Sequence, residues 1–482
     1  MADGAKFGQG WTPMLQVILP ILSTVLVAVA LWSAWHAAKT SRTPQAAVGW
    51  VVFLLAAPYL AVVVYAFLGP HRYASRARAR RESRALFEDH RSDWPDAAHN
   101  DPLAINLRPF ESVAGLPVVR GNSGRILIDG QETFDALFEV IDAAEHYLLV
   151  QFYIYRDDGL GREVADRLMA AARRGVRVWL AYDVFRPISL RPRLLREMAE
   201  AGIRITHSRS GGPVVRRFQV NFRNHRKALI ADGRVGFLGG LNVGDEYMGR
   251  SPSFGPWRDT FLRIEGPMVT QLQLIFAEDW HWVTGEALRD TLEWSSASEA
   301  GDLDGLIVAT GPVDAEDTGS TMIYATLAAA HERIWISTPY LVPDLPSLTA
   351  LKHAASQGKE VRILIPDSID HYLPWLAAFA YFDELMEAGV EIWRYREGFL
   401  HQKAFLIDDR VAAIGTHNLD QRSSQLNFET TAYFFERDPC NKLERVFEAD
   451  FARSVKLEKT LAEQPLWLRI AAPVARLMAP VL

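Results

Sequence analysis

A single cysteine, Cys440, stands among the 482 residues of the chain. One thiol excludes an internal disulfide and any cysteine-based zinc site. Excess positive charge is also missing. Fifty-two Lys and Arg against 58 Asp and Glu leave a net charge of −6, so no global basic field marks a nucleic-acid binder. Charge of either sign is absent from residues 14–35 and 46–68. Each run is about 22 residues long, about 33 Å as a helix, against a hydrocarbon core of about 30 Å. Trp11, Trp32, Trp35, Trp50 and Tyr65 lie near the ends, where aromatic belts form. The first run is too long for the apolar part of a signal peptide, and the second follows at once. Neither has the polar face of a surface helix. Residues 1–70 are therefore expected to form a transmembrane helical hairpin. Beyond it come Arg72, Arg76, Arg78, Arg80, Arg81 and Arg84, against only Lys39 and Arg42 between the runs. That excess predicts that the region after the second span, and with two spans the N-terminus, is cytoplasmic. The same cluster attracts anionic headgroups.

One short pattern occurs twice. The first copy runs Asn224-His225-Arg226-Lys227, an apolar stretch, Asp232, then Gly239-Gly240-Leu241-Asn242. The second runs Leu400-His401-Gln402-Lys403, an apolar stretch, Asp408, then Gly415-Thr416-His417-Asn418. His, Lys, Asp and Asn recur at the same gaps. Alternation places His and Lys on one strand face. The apolar run reads as a buried strand, the Asp as a tight turn, and the next apolar segment as the return strand. Each copy is thus expected to present an imidazole, an ammonium and an amide together. An imidazole can attack phosphorus or carry a proton near neutral pH. Ammonium and amide donors can hold the non-bridging oxygens of a phosphodiester. Two copies would supply a nucleophile and a general acid.

The paired motifs resemble the two HKD motifs of the phospholipase D superfamily. Several stretches are similar, more narrowly, to bacterial cardiolipin synthases: 223–227, 239–247, 279–286, 338–344 and 418–423. The resemblance implies an α/β class with a duplicated phospholipase D-like fold, in two pseudo-twofold-related halves, preceded by the two-helix transmembrane hairpin. It also implies that the hairpins meet face to face. In the family a carboxylate after each motif orients a catalytic His through its second ring nitrogen. Asp259, in Trp257-Arg258-Asp259, and Glu429, in Asn427-Phe428-Glu429, are the candidates.

The order of elements repeats as well. A strand over 147–155, a helix over 162–174 stopped by Gly175, a strand over 176–182 and a short strand over 203–206 precede the first hairpin. A strand over 334–337, a helix over 348–356 stopped by Gly358, and strands over 361–365 and 390–393 precede the second. Alternating strands and helices predict an α/β unit. The expected divisions are 1–70 for the hairpin, with spans at 14–35 and 46–68, and 71–121 for a basic linker. The first half covers 122–290, a linker 291–305, the second half 306–455, and an apolar tail 456–482. Residues 255–286 and 294–304 read as insertions and linker between the halves. Trp280, His281 and Trp282 read as core more readily than as an acyl-chain groove. His281 and His417 have no matching copy and are read as non-catalytic. The tail, with Trp467, Leu468, Ile470 and Leu477, could dip into a headgroup layer or pack on the protein.

The resemblance implies phosphatidyl transfer at a bacterial inner membrane, with the catalytic part facing the cytoplasm. One His would attack the phosphorus of phosphatidylglycerol. The other would protonate the departing glycerol and then activate a second phosphatidylglycerol, giving cardiolipin. By resemblance His225 is the nucleophile and His401 the acid/base, although near-symmetry permits the swap. Lys227, Lys403, Asn242 and Asn418 would hold phosphate oxygens. Asp232 and Asp408 complete the motifs' catalytic set and are expected to fix the hairpins and nearby cations. The expected partners are phosphatidylglycerol and anionic membrane lipids, with no nucleic acid, no cofactor and no metal. Asp157-Asp158 and Asp408-Asp409 lack the spacing of a carboxylate cage. Water as acceptor would instead give a phospholipase D, and serine a phosphatidylserine synthase. A nuclease or an inactive scaffold is disfavoured by the acidic balance and by two intact motifs.

Overall fold

The computed structural model describes residues 12–41, 44–69, 81–92, 94, 105–183, 190–207, 223–294, 300–314 and 317–482. These fall into two compact units, 12–69 and 81–482. Arg42, Arg72, Arg76, Arg78 and Arg80 lie outside the described residues. Arg84 belongs to the larger unit, where its guanidinium meets Asp314 at 3.2 Å.

The smaller unit is helical. Helix α1 (Thr12–Thr40) is the one helix among the described residues long and apolar enough to cross a membrane. The second expected span is not one helix. It is α2 (Pro44–Ala56) followed by α3 (Pro58–Leu68). Pro58 has no N–H to continue the ladder and its ring crowds the preceding turn, so the helix ends at Ala56. The two pieces fold back on each other. Trp50 and Tyr65, 15 residues apart, meet edge to face at 5.0 Å. Tyr65 also bonds His36 of α1 at 2.8 Å, and Tyr59 bonds Ser23 at 2.6 Å. At about 1.5 Å per residue, neither α2 nor α3 can cross a core of about 30 Å.

The larger unit is built on one continuous mixed sheet, palindromic about its middle. The first half contributes β1 (Val119–Ile128), α4 (Asp129–Ala143), β2 (Tyr147–Phe152), α5 (Gly159–Arg173), β3 (Arg177–Tyr182), α6 (Pro192–Glu200) and β4 (Arg204–His207). It continues with β5 (Arg223–Asn224), β6 (Ala228–Ala231), β7 (Val235–Gly239), β8 (Trp257–Arg258), β9 (Thr260–Glu265) and α7 (Pro267–Thr284). The second half contributes β10 (Leu303–Thr310), α8 (Thr318–Ala328), β11 (Arg333–Ser337), α9 (Leu345–Ser356), β12 (Glu360–Pro366), α10 (Tyr372–Glu387) and β13 (Glu391–Tyr395). Then come β14 (Phe399–Leu400), β15 (Ala404–Ile407), β16 (Val411–Gly415), β17 (Asn427–Phe434), α11 (Arg437–Phe451), β18 (Ser454–Lys456) and α12 (Leu466–Arg476). The spatial order is β18-β13-β12-β11-β15-β16-β17-β10-β1-β9-β7-β6-β2-β3-β4. The antiparallel pair of β1 and β10 is the seam, and each strand outward from it has a counterpart except the edge strand β18.

The strands and helices read from the repeat form close to their expected places. Gly175 and Gly358 end matched helices with φ of +98° and +82°, a left-handed conformation that favours glycine. The segment read as insertions and linker differs. It forms β8, β9 and the 18-residue α7, buried over all but its last turn. A helix covered on nearly every side shows no amphipathic period.

Asp232 and Asp408 sit at the far ends of β6 and β15 from the His-Lys pairs. Both take a φ of +53°, a conformation that Asp tolerates better than most residues. Asp232 accepts backbone N–H groups of Glu145, His146 and Tyr147 at 2.7–2.9 Å. Asp408 accepts those of His331, Glu332 and Arg333 at 2.8–2.9 Å. Each carboxylate thus pins a motif hairpin to the start of the neighbouring strand. Asp408→Ala strands three donors and is expected to cost about 2–4 kcal/mol, with Asp408→Asn costing less. Denaturant melts measure this, and an unchanged midpoint in Asp408→Ala would contradict the pinning role.

Candidate active site

Strands β5 and β14 stop one residue short of the motif histidines, and each histidine is held by the opposite half. β5 runs parallel to the start of β17, and His225 N–H bonds Phe428 O at 2.9 Å. β14 runs parallel to β8, and His401 N–H bonds Arg258 O at 2.8 Å. The side chains repeat the exchange. His225 Nδ1 donates to Glu429 of the second half at 2.8 Å. His401 Nδ1 donates to Asp259 of the first half at 2.8 Å. Both rings are nearly buried, 8% and 7% exposed. Tying Nδ1 to a carboxylate leaves Nε2 as each ring's reactive nitrogen. No other described residue takes a hydrogen bond from either Nε2.

Lys227 and Lys403 each bond back to the carbonyl oxygen of their own His, Lys227 at 2.6 Å. Burial lowers the Lys227 ammonium well below its usual range and takes Lys403 down to about 8. The two ammoniums press on both imidazoles, and His225 presses on His401, so all four groups share one electrostatic site.

The two carboxylates differ. Burial alone would raise Glu429, but His225, its hydrogen bond, His417 and Lys227 bring it down to about 2. Thr416 Oγ1 donates to it at 2.5 Å and Asn427 Nδ2 at 3.1 Å. Asp259 is raised to about 6 because burial outweighs Lys403, the Thr260 N–H and Arg258. Gly240 occupies the place that Thr416 holds in the other motif. A Cβ there would lie 2.1 Å from Asp259 Oδ1, so this carboxylate gets closeness of backbone rather than a hydroxyl donor. Burial likewise takes His225 down to about 4 and His401 well below 6.5. The site rests with neutral rings.

Behind each carboxylate lies an arginine that sequence reasoning passed over. Arg226 pairs with Asp279 of α7 at 2.6 Å and reaches Glu429 O at 3.1 Å. Arg258 pairs with Asp450 of α11 at 2.8 Å and reaches Asp259 O at 2.5 Å. The signal was present as two Asp near the ends of the helices that follow matched strands. Asn242 accepts Ile154 N–H at 2.9 Å and donates to Tyr247 at 3.1 Å. Asn418 donates to Asp420 at 3.1 Å. Trp280 is core, stacked on Phe276 at 6.0 Å. His281 bonds Ser83 at 2.8 Å. His417 is buried, with Nδ1 on Asn418 O at 2.7 Å. Asp158 caps α5 through Gly161 N–H at 3.0 Å, and Asp157 pairs with Arg162 at 2.8 Å.

A duplicated α/β fold with two His-x-Lys strands crossed over a pseudo-twofold, each imidazole backed by a carboxylate, defines an enzyme of the phospholipase D-like class. The family model described as the cardiolipin synthase, PLD-like domain matches residues 137–280 and 323–451. Cardiolipin synthase A of Pseudomonas aeruginosa is 38% identical over 461 residues, covering 93% of this chain and 93% of that protein. Cardiolipin synthase A of Pseudomonas fluorescens is 37% identical over 474 residues, covering 96% and 98%. The crystal structure of phosphatidylserine synthase from Haemophilus influenzae shares the fold, with a TM-score of 0.60 at 13% identity over 78% of this chain and 99% of that one. The chain belongs to the cardiolipin synthase family.

The depressed imidazoles make stability depend on pH. The native state refuses at His225 a proton that the unfolded chain accepts, so stability is lost as pH falls from 6.5 through 4. Glu429, native near 2, adds a loss below the usual glutamate range. Asp259 acts oppositely: its contribution is full below the usual aspartate range and is lost as pH rises through 6. His225→Gln should flatten the loss between pH 6.5 and 4 by about 3 kcal/mol. Denaturant melts across that window test it, and an unchanged slope would contradict a neutral buried ring.

Proposed function

We propose that this chain is a cardiolipin synthase that transfers a phosphatidyl group between two phosphatidylglycerol molecules, releasing glycerol. The observation that carries the reading is the exchange of carboxylates between halves, which faces two imidazoles and two ammoniums at one site. His225 is the nucleophile. Glu429, anionic across the working range, orients its ring, and the Nε2 lone pair attacks phosphorus. The bond from phosphorus to the glycerol oxygen breaks as the phosphatidyl-His225 bond forms. His401, held on Asp259 through Nδ1, is the proton carrier: the anionic phosphodiester bound beside it favours the imidazolium, so Nε2 takes a proton from solvent before attack and has it to give. It protonates the departing glycerol oxygen. It then takes the proton from a hydroxyl of the second phosphatidylglycerol, which attacks the phosphorus and frees His225. Lys227 and Lys403 hold the non-bridging oxygens, where charge develops in the transition state. Asn242 and Asn418 each keep a second amide hydrogen for the same oxygens. Asp232 and Asp408 act through the hairpins.

In this reading the enzyme sits at the bacterial plasma membrane with its catalytic body facing the cytoplasm, on the side marked by the arginines from Arg72 to Arg84. Helix α1 crosses, and α2 with α3 enters the bilayer and returns on one side. Tethering holds the site at high effective concentration of substrates that live in the bilayer.

Incubating the purified protein with phosphatidylglycerol vesicles should yield cardiolipin and glycerol by mass spectrometry; phosphatidic acid as sole product would contradict transfer. His225→Ala and His401→Ala should each lower turnover by at least about a thousandfold. His401→Ala should still accumulate an acid-labile phosphatidyl adduct on the His225 peptide, and His225→Ala should form none. An adduct on His401 in the His225→Ala protein would reverse the two roles.

A further inference from the structure

Helix α12 divides its surface in two. Leu468, Ala472, Ala475 and, just beyond the helix, Ala479 are buried, and the helix packs on α10. On the other side Leu466, Ile470, Val474 and Leu477 are 68, 61, 60 and 79% exposed, joined by Trp467 and Met478. At about 100° per residue, these six side chains fall within an arc of about 120°. Arg469 and Arg476 fall together at one edge of that arc, and no acidic residue follows Glu463. Arg476 pairs with Glu384 of α10 at 2.9 Å, and Arg469 adds a second cation at that edge; an apolar stripe bordered by arginine complements an anionic lipid surface.

The stripe also leads toward the site. Trp467 stacks on Trp375 of α10 at 6.3 Å. Trp375 lines a cavity with Tyr340, Asp370, His371 and Phe379. The charge of Asp370 is felt by both His401 and Lys403. Tyr372, in the first turn of α10, is fully displayed to solvent at 73% exposure. We propose that α12 lies in the headgroup layer of an anionic bilayer, its stripe sunk to the acyl boundary, and so seats this side of the catalytic body on the lipid that supplies the substrate. The proposal deepens the lipid-transfer reading and rests on it for its purpose.

The lone native cysteine makes the test clean. Cys440 is buried and its thiol is pushed up to about 12 by burial, so it does not compete for a thiol-reactive dye. Ile470→Cys and Val474→Cys, each carrying a polarity-sensitive dye, are placed in nanodiscs of phosphatidylethanolamine and phosphatidylglycerol. Arg193→Cys, at an exposed position of α6 in the first half, is the control. Blue-shifted emission at 470 and 474, quenched by lipids bearing a nitroxide at headgroup depth and absent at 193, is expected. Water-like emission at 470 and 474 would overturn the proposal. So would a blue shift without lipid quenching, which would assign the stripe to a second copy of the chain. In a second arm, Ile470→Glu combined with Val474→Glu should lower turnover of bilayer phosphatidylglycerol by about tenfold and leave turnover of short-chain, monomerically dispersed phosphatidylglycerol unchanged. Loss on both substrates, or on neither, would overturn the proposal. A wild-type protein that makes no cardiolipin from either substrate would contradict the functional reading alone, since the dye emission reads membrane seating by itself.

Discussion

Each half of the body completes the other half's histidine. Glu429 reaches across to His225 and Asp259 reaches across to His401, both at 2.8 Å. Neither half carries a finished imidazole by itself. The exchange needs the continuous sheet, because only a fixed seam between β1 and β10 brings β17 beside β5 and β8 beside β14. It also needs the buried arginines, which hold the carboxylate strands from behind and are neutralised by Asp279 and Asp450. Removing one partner of such a buried pair leaves an uncompensated charge, so the scaffold and the chemistry stand on the same contacts.

Duplication brought symmetry, and a few side chains break it. Thr416 in one motif corresponds to Gly240 in the other, and Gln402 to Arg226. The threonine hydroxyl stabilises one carboxylate as an anion, while the glycine leaves the other to burial. Two chemically matched imidazoles thereby acquire different protonation partners, which is what a nucleophile and a proton carrier require. In the proposed mechanism, direct charge partners and donors, rather than distance along the chain, separate the roles.

Much of this was legible in the sequence. The repeat fixed the hairpins, and the echoes around Gly175 and Gly358 placed matched helices. Asp259 and Glu429 were visible from their spacing after each motif. That each serves the other half was not, because pairing across a pseudo-twofold leaves no mark on local pattern. Helix α7 was missed because near-complete burial erases its period. The break at Ala57 was missed because Pro58 lies in an unbroken apolar run, where composition signals a span and only packing shows the return. Arg226 and Arg258 were passed over, since a strand residue between two functional neighbours gives no sign of facing a buried Asp.

The account stands on two Nε2 atoms addressing one phosphorus from opposite sides. A crystal structure of the protein with bound vanadate tests that most directly. The expected result is vanadium bonded to His225 Nε2, with His401 Nε2 on the opposite side and Lys227 and Lys403 on the equatorial oxygens. Vanadate held by only one of the two rings, with the other turned into a separate cavity, would contradict it.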